Sequence, residues 1–487
     1  MDFTALFPLF TPQLGVAVLA IYAAIVLGLT YTYAKGYHNN KESYLVARRE
    51  LGQLQGSMSI GAAWVWAPGM FLAAQAAYQN GFAGLFWFTI GNFLTLILFG
   101  YFAKLLRERK PDGFTISGYL KEKFSGRVQA LLILELALLA TCAFAINVLA
   151  GSKSVELLTG INYHTVTILL TVIALAYTLP NGLKASVVTE VFKLSMLWIG
   201  LMLLVPAAVI AAGGLDVVAI GLGGITGQGH SIFSSFGWGV FVGVGFATAI
   251  GHMGAPWGDN SFYQRAFAIK KDSVHRSFVQ GSFIFVFVPL LTGVLGFIAA
   301  GLAYEIPKEL VGYTNLLVVG SLLPSWAAMF YLFILFAGLV SVLDSQLASI
   351  ANIFGHDIYN KLNKNSAVSS IMYSRIGMLL LIVAGLTIAN WPGMTLQIIF
   401  LFFGILRACV WFPIMFSLWK PNLINETGMF WGILLAYLIG FPIYVYGQNF
   451  GGGSTVAFVG TMLAVFGSGI LSVLISRFSN NAGVSVA

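Results

Sequence analysis

The chain has 487 residues, 58% of them hydrophobic and only 9% charged, with a mean hydropathy of +0.87 and a formal net charge of +8. This balance excludes a soluble globular domain and points to a polytopic helical membrane protein. The basic excess does not make a nucleic-acid surface, because Lys and Arg gather in alternate loops between apolar runs, as topology requires.

Apolar runs of about 20 residues are long enough to span a bilayer. They predict helices over 13–34, 54–79, 84–106, 128–150, 163–179, 185–212, 233–256, 278–303, 324–353, 370–390, 394–418, 428–447 and 455–476, thirteen spans in an all-α chain. The first run has no basic segment or small-residue cleavage site before it, so it is expected to be retained. Cys142 and Cys409 both fall inside apolar runs and are expected to be packing residues. Loops after the odd-numbered spans carry nearly all the basic residues, among them Lys35, Arg48, Arg107, Lys121 and Arg265, whereas the opposite loops carry only Lys153 and Lys308. The positive-inside rule then puts the N-terminus outside and the C-terminus in the cytoplasm.

Two spans carry breaks. The second holds Ala62-Ala63-Trp64-Val65-Trp66-Ala67-Pro68-Gly69, and the seventh holds Gly251-His252-Met253-Gly254-Ala255-Pro256-Trp257-Gly258. Proline and glycine interrupt backbone pairing, and unpaired carbonyls at membrane depth must line a protein cavity. The breaks are five spans apart, so they open two five-helix halves that insert in opposite orientations. That is the inverted-repeat plan of secondary transporters, with the binding site between the broken helices. The single membrane domain therefore divides into a peripheral segment 1–50, repeats over 51–212 and 213–420, and two peripheral helices over 421–487.

Charges inside spans are costly and mark candidate sites. Glu190 and Lys193 lie one turn apart at the start of a long apolar run, and Asp344 interrupts another. Ser341, Asp344 and Ser345 have the spacing of one helical face. Glu190 and Lys193 could pair with each other, and the long lysine stem could instead reach back to the interface. Glu135 and Arg407 are further charges within spans; Arg407 could hold an anionic solute or pair with Glu135 or Asp344. Trp64, Trp66 and Trp257 flank the breaks and would suit a small planar polar solute through stacking and N–H donation. Gln75 is a polar candidate on the second half of the broken helix. No phosphate-binding motif, His/Cys metal cluster or nucleophile–base pair stands out, and Gly221-Leu222-Gly223-Gly224 has no strand before it, so neither an enzyme nor an ATP-driven pump is expected.

Several stretches carry a family resemblance: Glu42-Ser43-Tyr44-Leu45-Val46-Ala47-Arg48, Asn181-Gly182-Leu183-Lys184-Ala185, Asp259-Asn260 with Gln264-Arg265-Ala266, and Asn352 with Asp357-Ile358-Tyr359. In this order they resemble the sodium:solute symporter family. Trp64-Val65-Trp66-Ala67, Ala77-Tyr78-Gln79-Asn80-Gly81 and Gly84-Leu85-Phe86-Trp87 are most similar to its urea/polyamine branch. The resemblance implies a LeuT-like fold and a sodium site built from the carbonyls of Ala62, Val65 and Gly338 and the hydroxyls of Ser341 and its neighbour. Here that neighbour is Val342, which offers no oxygen, and hard cations want a full oxygen shell. The resemblance also puts Glu190 and Lys193 near the Ser341–Asp344–Ser345 face, where a lysine could stand in for the cation. It places His252 at a position that lines the solute site in sugar-transporting relatives.

The expected function is import of a small polar organic solute, urea or a similar small amide, coupled to protons or sodium across a bacterial-type inner or plasma membrane. Lipid and the solute are the expected partners, and no cofactor beyond the coupling ion is implied. The alternatives are a sodium-coupled carrier of a small carboxylate or amino acid, and an uncoupled channel-like or sensor protein on the same scaffold.

Overall fold

The computed structural model describes residues 7–35, 40–362 and 369–484, so the outer limits of the 1–50 and 421–487 segments lie partly outside the described residues. Among these residues twelve helices are long and apolar enough to cross a membrane. The structural elements used below are α1 (Pro12–Tyr33), α2 (Gln53–Trp64), α3 (Ala67–Arg109), α4 (Gly126–Thr159), α5 (Tyr163–Asn181) and α6 (Leu183–Ala211). They continue with α7 (Ser235–Trp257), α8 (Asn260–Ala268), α9 (Val274–Gly301), α10 (Ser325–Asn352), α11 (Ser370–Ala389), α12 (Leu396–Ala408), α13 (Glu426–Gln448) and α14 (Ser454–Ser479).

Twelve differs from the expected thirteen because of residues 53–109. The break leaves α2 only 12 residues long, too short to count as a span, and two helical runs that meet at a kink at Gly81 make up α3. Within α3, Gly81 leaves the helical region at φ 62° and ψ −148°. A Cβ there would stand 2.2 Å from the Leu222 carbonyl oxygen, so glycine is the residue that lets the chain bend against this loop. Gly182, at φ 57°, does the same between α5 and α6, where a Cβ would meet the Tyr44 carbonyl oxygen at 2.3 Å.

Capping fixes where several helices begin. The Thr11 hydroxyl accepts from the Leu14 amide ahead of Pro12, the Asn162 side chain accepts from the His164 amide, and the Asp259 carboxylate accepts from the Ser261 amide. The last of these starts α8 immediately after the second break, so the expected interruption falls at the end of α7 rather than within it. A turn of 3₁₀ helix over Ala255–Trp257 ends α7, and the non-helical Gly258 separates it from α8.

The centre of the molecule is α10. Residues on all its sides, from Tyr331 through Asn352, are buried with few gaps, the pattern of a helix enclosed by others rather than facing lipid. It packs on α4 and α6, and α9 packs along α3 and α2. Small residues set the α3–α9 separation: a Cβ on Gly296 would stand 2.2 Å from the Ala74 carbonyl oxygen.

Candidate functional site

The first break is narrow. Val65 (φ −76°, ψ 79°) and Trp66 (φ −85°, ψ 133°) leave the helical region between α2 and α3, and Pro68 starts the new helix where its missing N–H costs nothing. Across from it, the Ser341 hydroxyl of α10 donates to the Ala62 carbonyl oxygen at 3.3 Å. The break and the Ser341 face therefore meet, as the resemblance implies.

One turn further along α10 lies a buried polar network. The Lys193 ammonium donates to Asp344 Oδ2 at 2.5 Å and to the Tyr177 hydroxyl at 3.0 Å, and Tyr177 donates to the same carboxylate oxygen at 2.6 Å. Ser186 donates to Asp344 Oδ1 at 2.9 Å, and Thr189 to Oδ2 at 3.2 Å. The partner of Glu190 is Arg265, whose Nη2 donates to Glu190 Oε1 and, at 2.8 Å, to Ser345 Oγ. Ser59 donates to Glu190 Oε2 at 2.5 Å and accepts from Arg265 Nε at 2.9 Å. Ser345 closes the chain to the break by donating to the Ser341 carbonyl oxygen at 2.7 Å.

Two acids and two bases are thus matched with at most 1% of any of these four side chains exposed. Glu190 and Lys193 do not pair with each other, and Lys193 does not reach toward the interface: each turns to a partner on another helix. Arg265 was read from the sequence as a loop cation, yet α8 carries it fully into the interior. A short segment flanked by Gly258 and Lys270 looks like a connection, and only tertiary packing brings it against α6.

Beside the break is a small cavity of about 30 Å³, bordered by Trp64, Trp66, Asn147, Asp259, Gln346 and Arg407. Val342 also faces it, so the position that lacks a cation-ligating oxygen is a wall of this cavity. Trp66 stacks on Phe400, with ring centroids 5.5 Å apart and planes at 26°, and lies edge-on to Phe403. Trp64 Nε1 donates to the Asn92 carbonyl oxygen at 3.1 Å, so this indole presents a ring to the cavity while its N–H is already bonded.

Arg407 pairs with neither Glu135 nor Asp344. Its guanidinium lies 4.4 Å from the Phe403 ring centroid, the carboxylate that bears on it is Asp259, and its Nε has no partner. Arg407 also borders a smaller space shared with His252, Phe400 and Leu401. Phe400 and Leu401 in turn border a further space with Gln75, and Gln75 opens onto a cavity of about 540 Å³ beside Lys153 and Lys308. Shared wall residues thus link the wide cavity to the break.

Trp257 stands apart, edge-on to Phe99 and Phe102 at 5.2 Å each, inside aromatic packing. Glu135 is also separate. It is buried in α4 beside the Tyr437 hydroxyl. The sequence reading did not single out Asn147, Asp259 or Gln346 as cavity residues. Their signal was present as isolated polar residues in apolar helices and next to the second break.

Residues 44–436 match the model of the sodium:solute symporter family. The chain belongs to that family. It is 23% identical over 467 residues to a urea-proton symporter, DUR3, of Oryza sativa subsp. japonica, with 86% of this chain and 64% of the relative aligned. A spermidine transporter, DUR31, of Candida albicans is 26% identical over 318 residues, covering 64% of this chain and 57% of the relative. The chain thus spans about three-fifths of the length of these curated relatives. In fold it is similar to a Na+-coupled sialic acid symporter in a substrate-bound outward-open state, with a TM-score of 0.78, 17% identity and 95% and 97% of the two chains covered. The nucleobase-cation-symport-1 transporter Mhp1 follows at a TM-score of 0.59 and 14% identity, with 90% and 94% covered.

Proposed function

We propose that this family member is a secondary active transporter that imports a small polar organic solute, with urea or a similar small amide leading, by alternating access. On this reading α2 and the part of α3 before Gly81 form one broken span, giving thirteen spans in all. Residues 51–212 and 213–420 are the two inverted repeats, with 1–50 and 421–487 peripheral. The N-terminus faces out of a bacterial-type inner or plasma membrane and the C-terminus faces the cytoplasm. The wide cavity beside Lys153 and Lys308 is then the outer vestibule.

The observation that carries the coupling argument is the Lys193–Asp344 pair, joined through Ser345 and Ser341 to the Ala62 carbonyl. Ala62, Val65, Gly338 and Ser341 make a donor set one oxygen short at Val342, a poor fit for a hard cation. The Lys193 side chain reaches this set through Asp344, Ser345 and Ser341. Coupling by protons, or transport down the solute gradient, suits this arrangement better than sodium. The name of the urea-proton symporter agrees with the solute, whereas DUR31 is named for spermidine.

The test is flux of labelled urea into proteoliposomes under imposed sodium or proton gradients. Saturable uptake that ignores sodium is expected. Sodium-driven uptake that survives Lys193→Ala unchanged would overturn the coupling argument, and absence of urea uptake would remove the leading solute.

A further inference from the structure

We infer that the cavity at the first break reads its solute through donors on one side and acceptors on the other, and so selects a small neutral molecule with a carbonyl flanked by N–H groups over ions of the same shape. The inference rests on the proposed function and names the chemistry of its solute site.

The orientation of three side-chain amides carries the argument. Asn92 Nδ2 donates to the Phe88 carbonyl oxygen at 2.7 Å and meets His252 Nδ1 at 2.9 Å. A carbonyl has no hydrogen to give, so the amide cannot be flipped, and His252 Nδ1 must accept. The ring proton then sits on Nε2, which has no partner and belongs to a side chain that borders the same small space as Arg407. Arg407 Nε, also unpartnered, is the second donor.

The same logic orients the acceptors. Asn147 Nδ2 donates to the Ala143 carbonyl oxygen at 2.7 Å, which leaves Oδ1 without a partner. Gln346 Nε2 donates to Asp259 Oδ2 at 3.0 Å, which leaves Oε1 unpartnered. Asn147, Gln346, His252 and Arg407 are all more than nine-tenths buried. Buried polar atoms in folded proteins are nearly always bonded, so three open ones at the break cavity, on Asn147, Gln346 and Arg407, with His252 Nε2 at the adjoining space that Arg407 also borders, point to a missing polar occupant.

Charge and size narrow the occupant. An anion gains Arg407 but faces the Asp259 carboxylate and two amide oxygens, whereas a cation faces the guanidinium. A neutral amide places its carbonyl toward Arg407 and its N–H groups toward Asn147, Gln346 and Asp259. The volume of about 30 Å³ admits a few water-sized groups, and Trp64, Trp66 and Phe403 give it flat walls. A long polyamine does not fit this space.

Urea, guanidinium and acetate share a planar Y-shaped skeleton and differ in charge, so they separate these possibilities. Tryptophan fluorescence of the purified chain titrated with each should show urea bound at least about tenfold more tightly than either ion. Asn147→Leu, nearly isosteric, should weaken urea by about tenfold, the usual cost of one buried hydrogen bond. Asp259→Asn should narrow the preference over acetate. Equal binding of an ion, or unchanged urea affinity and selectivity in both variants, overturns the inference. Urea binding without uptake would sink the transport reading alone. Coupled uptake of an ion with no amide binding would sink this inference and leave transport standing.

Discussion

The Lys193 ammonium and Asp344 Oδ2 are 2.5 Å apart, on α6 and α10, with no more than 1% of either side chain exposed. Breaking such a pair leaves an uncompensated buried charge, at a cost of about 3–5 kcal/mol, while replacing both partners by apolar residues is far milder. Lys193→Met and Asp344→Leu should each lower the thermal unfolding midpoint in detergent sharply, and the double variant should recover most of the loss. Additive losses would mean that the pair is not a unit.

Arg265 donates from Nε to Ser59 at 2.9 Å, from Nη1 to the Ser261 carbonyl oxygen at 3.0 Å and from Nη2 to Ser345 at 2.8 Å, besides Glu190. A lysine is a point charge and cannot meet this fork of partners. Arg265→Lys should be destabilised by roughly 2–3 kcal/mol, as hydrogen bonds to charged groups are worth. Chemical denaturation compared with Arg265→Ala checks it: near-complete rescue by lysine would show that only the charge matters.

Val342→Thr adds a hydroxyl at the position where this chain leaves the cation shell implied by the family resemblance one oxygen short. In a Lys193→Ala, Asp344→Ala background, sodium should raise the unfolding midpoint of the threonine variant and not of its valine parent, since a ligand stabilises only the state that binds it. Equal sodium responses in the two proteins would count against the missing oxygen as a determinant of sodium binding.

Gly296→Ala forces a methyl into the Ala74 carbonyl, whereas a Cβ on Gly239 meets nothing within 4 Å. The first should destabilise by about 1–3 kcal/mol through overpacking of the α3–α9 contact. Gly239→Ala should be neutral or slightly stabilising, because alanine favours the helix. Thermal stability of the two purified variants decides.

Apolar run length made most of the helices legible in the sequence, and Pro68 with Gly69 marked the first break within a few residues. Residues 80–83 read as the connection between two spans, and the chain does kink there: Gly81 leaves the helical region, and the Phe82 and Ala83 amides donate to the Leu222 and Gly229 carbonyl oxygens of the neighbouring loop. The second break was placed correctly in sequence but sits at the end of α7, where Asp259 caps a new helix. The charges in the spans were recognisable as costly, yet their pairing was not. Glu190 and Arg265 are 75 positions apart, and no local pattern connects them. The cavity's acceptors were harder still, since one Asn or Gln in an apolar helix looks like any other until its N–H groups are seen to be spent elsewhere.

The buried network also has an electrical consequence. Each unit charge moved across a membrane is worth about 2.3 kcal/mol per 100 mV. Lys193 and Arg265 against Asp344 and Glu190 sum to zero, so a rocking motion that carried all four together would displace no net charge. The return of the empty carrier would then be indifferent to membrane voltage as far as these four groups are concerned, whereas a network with an unpaired charge would feel it on every cycle.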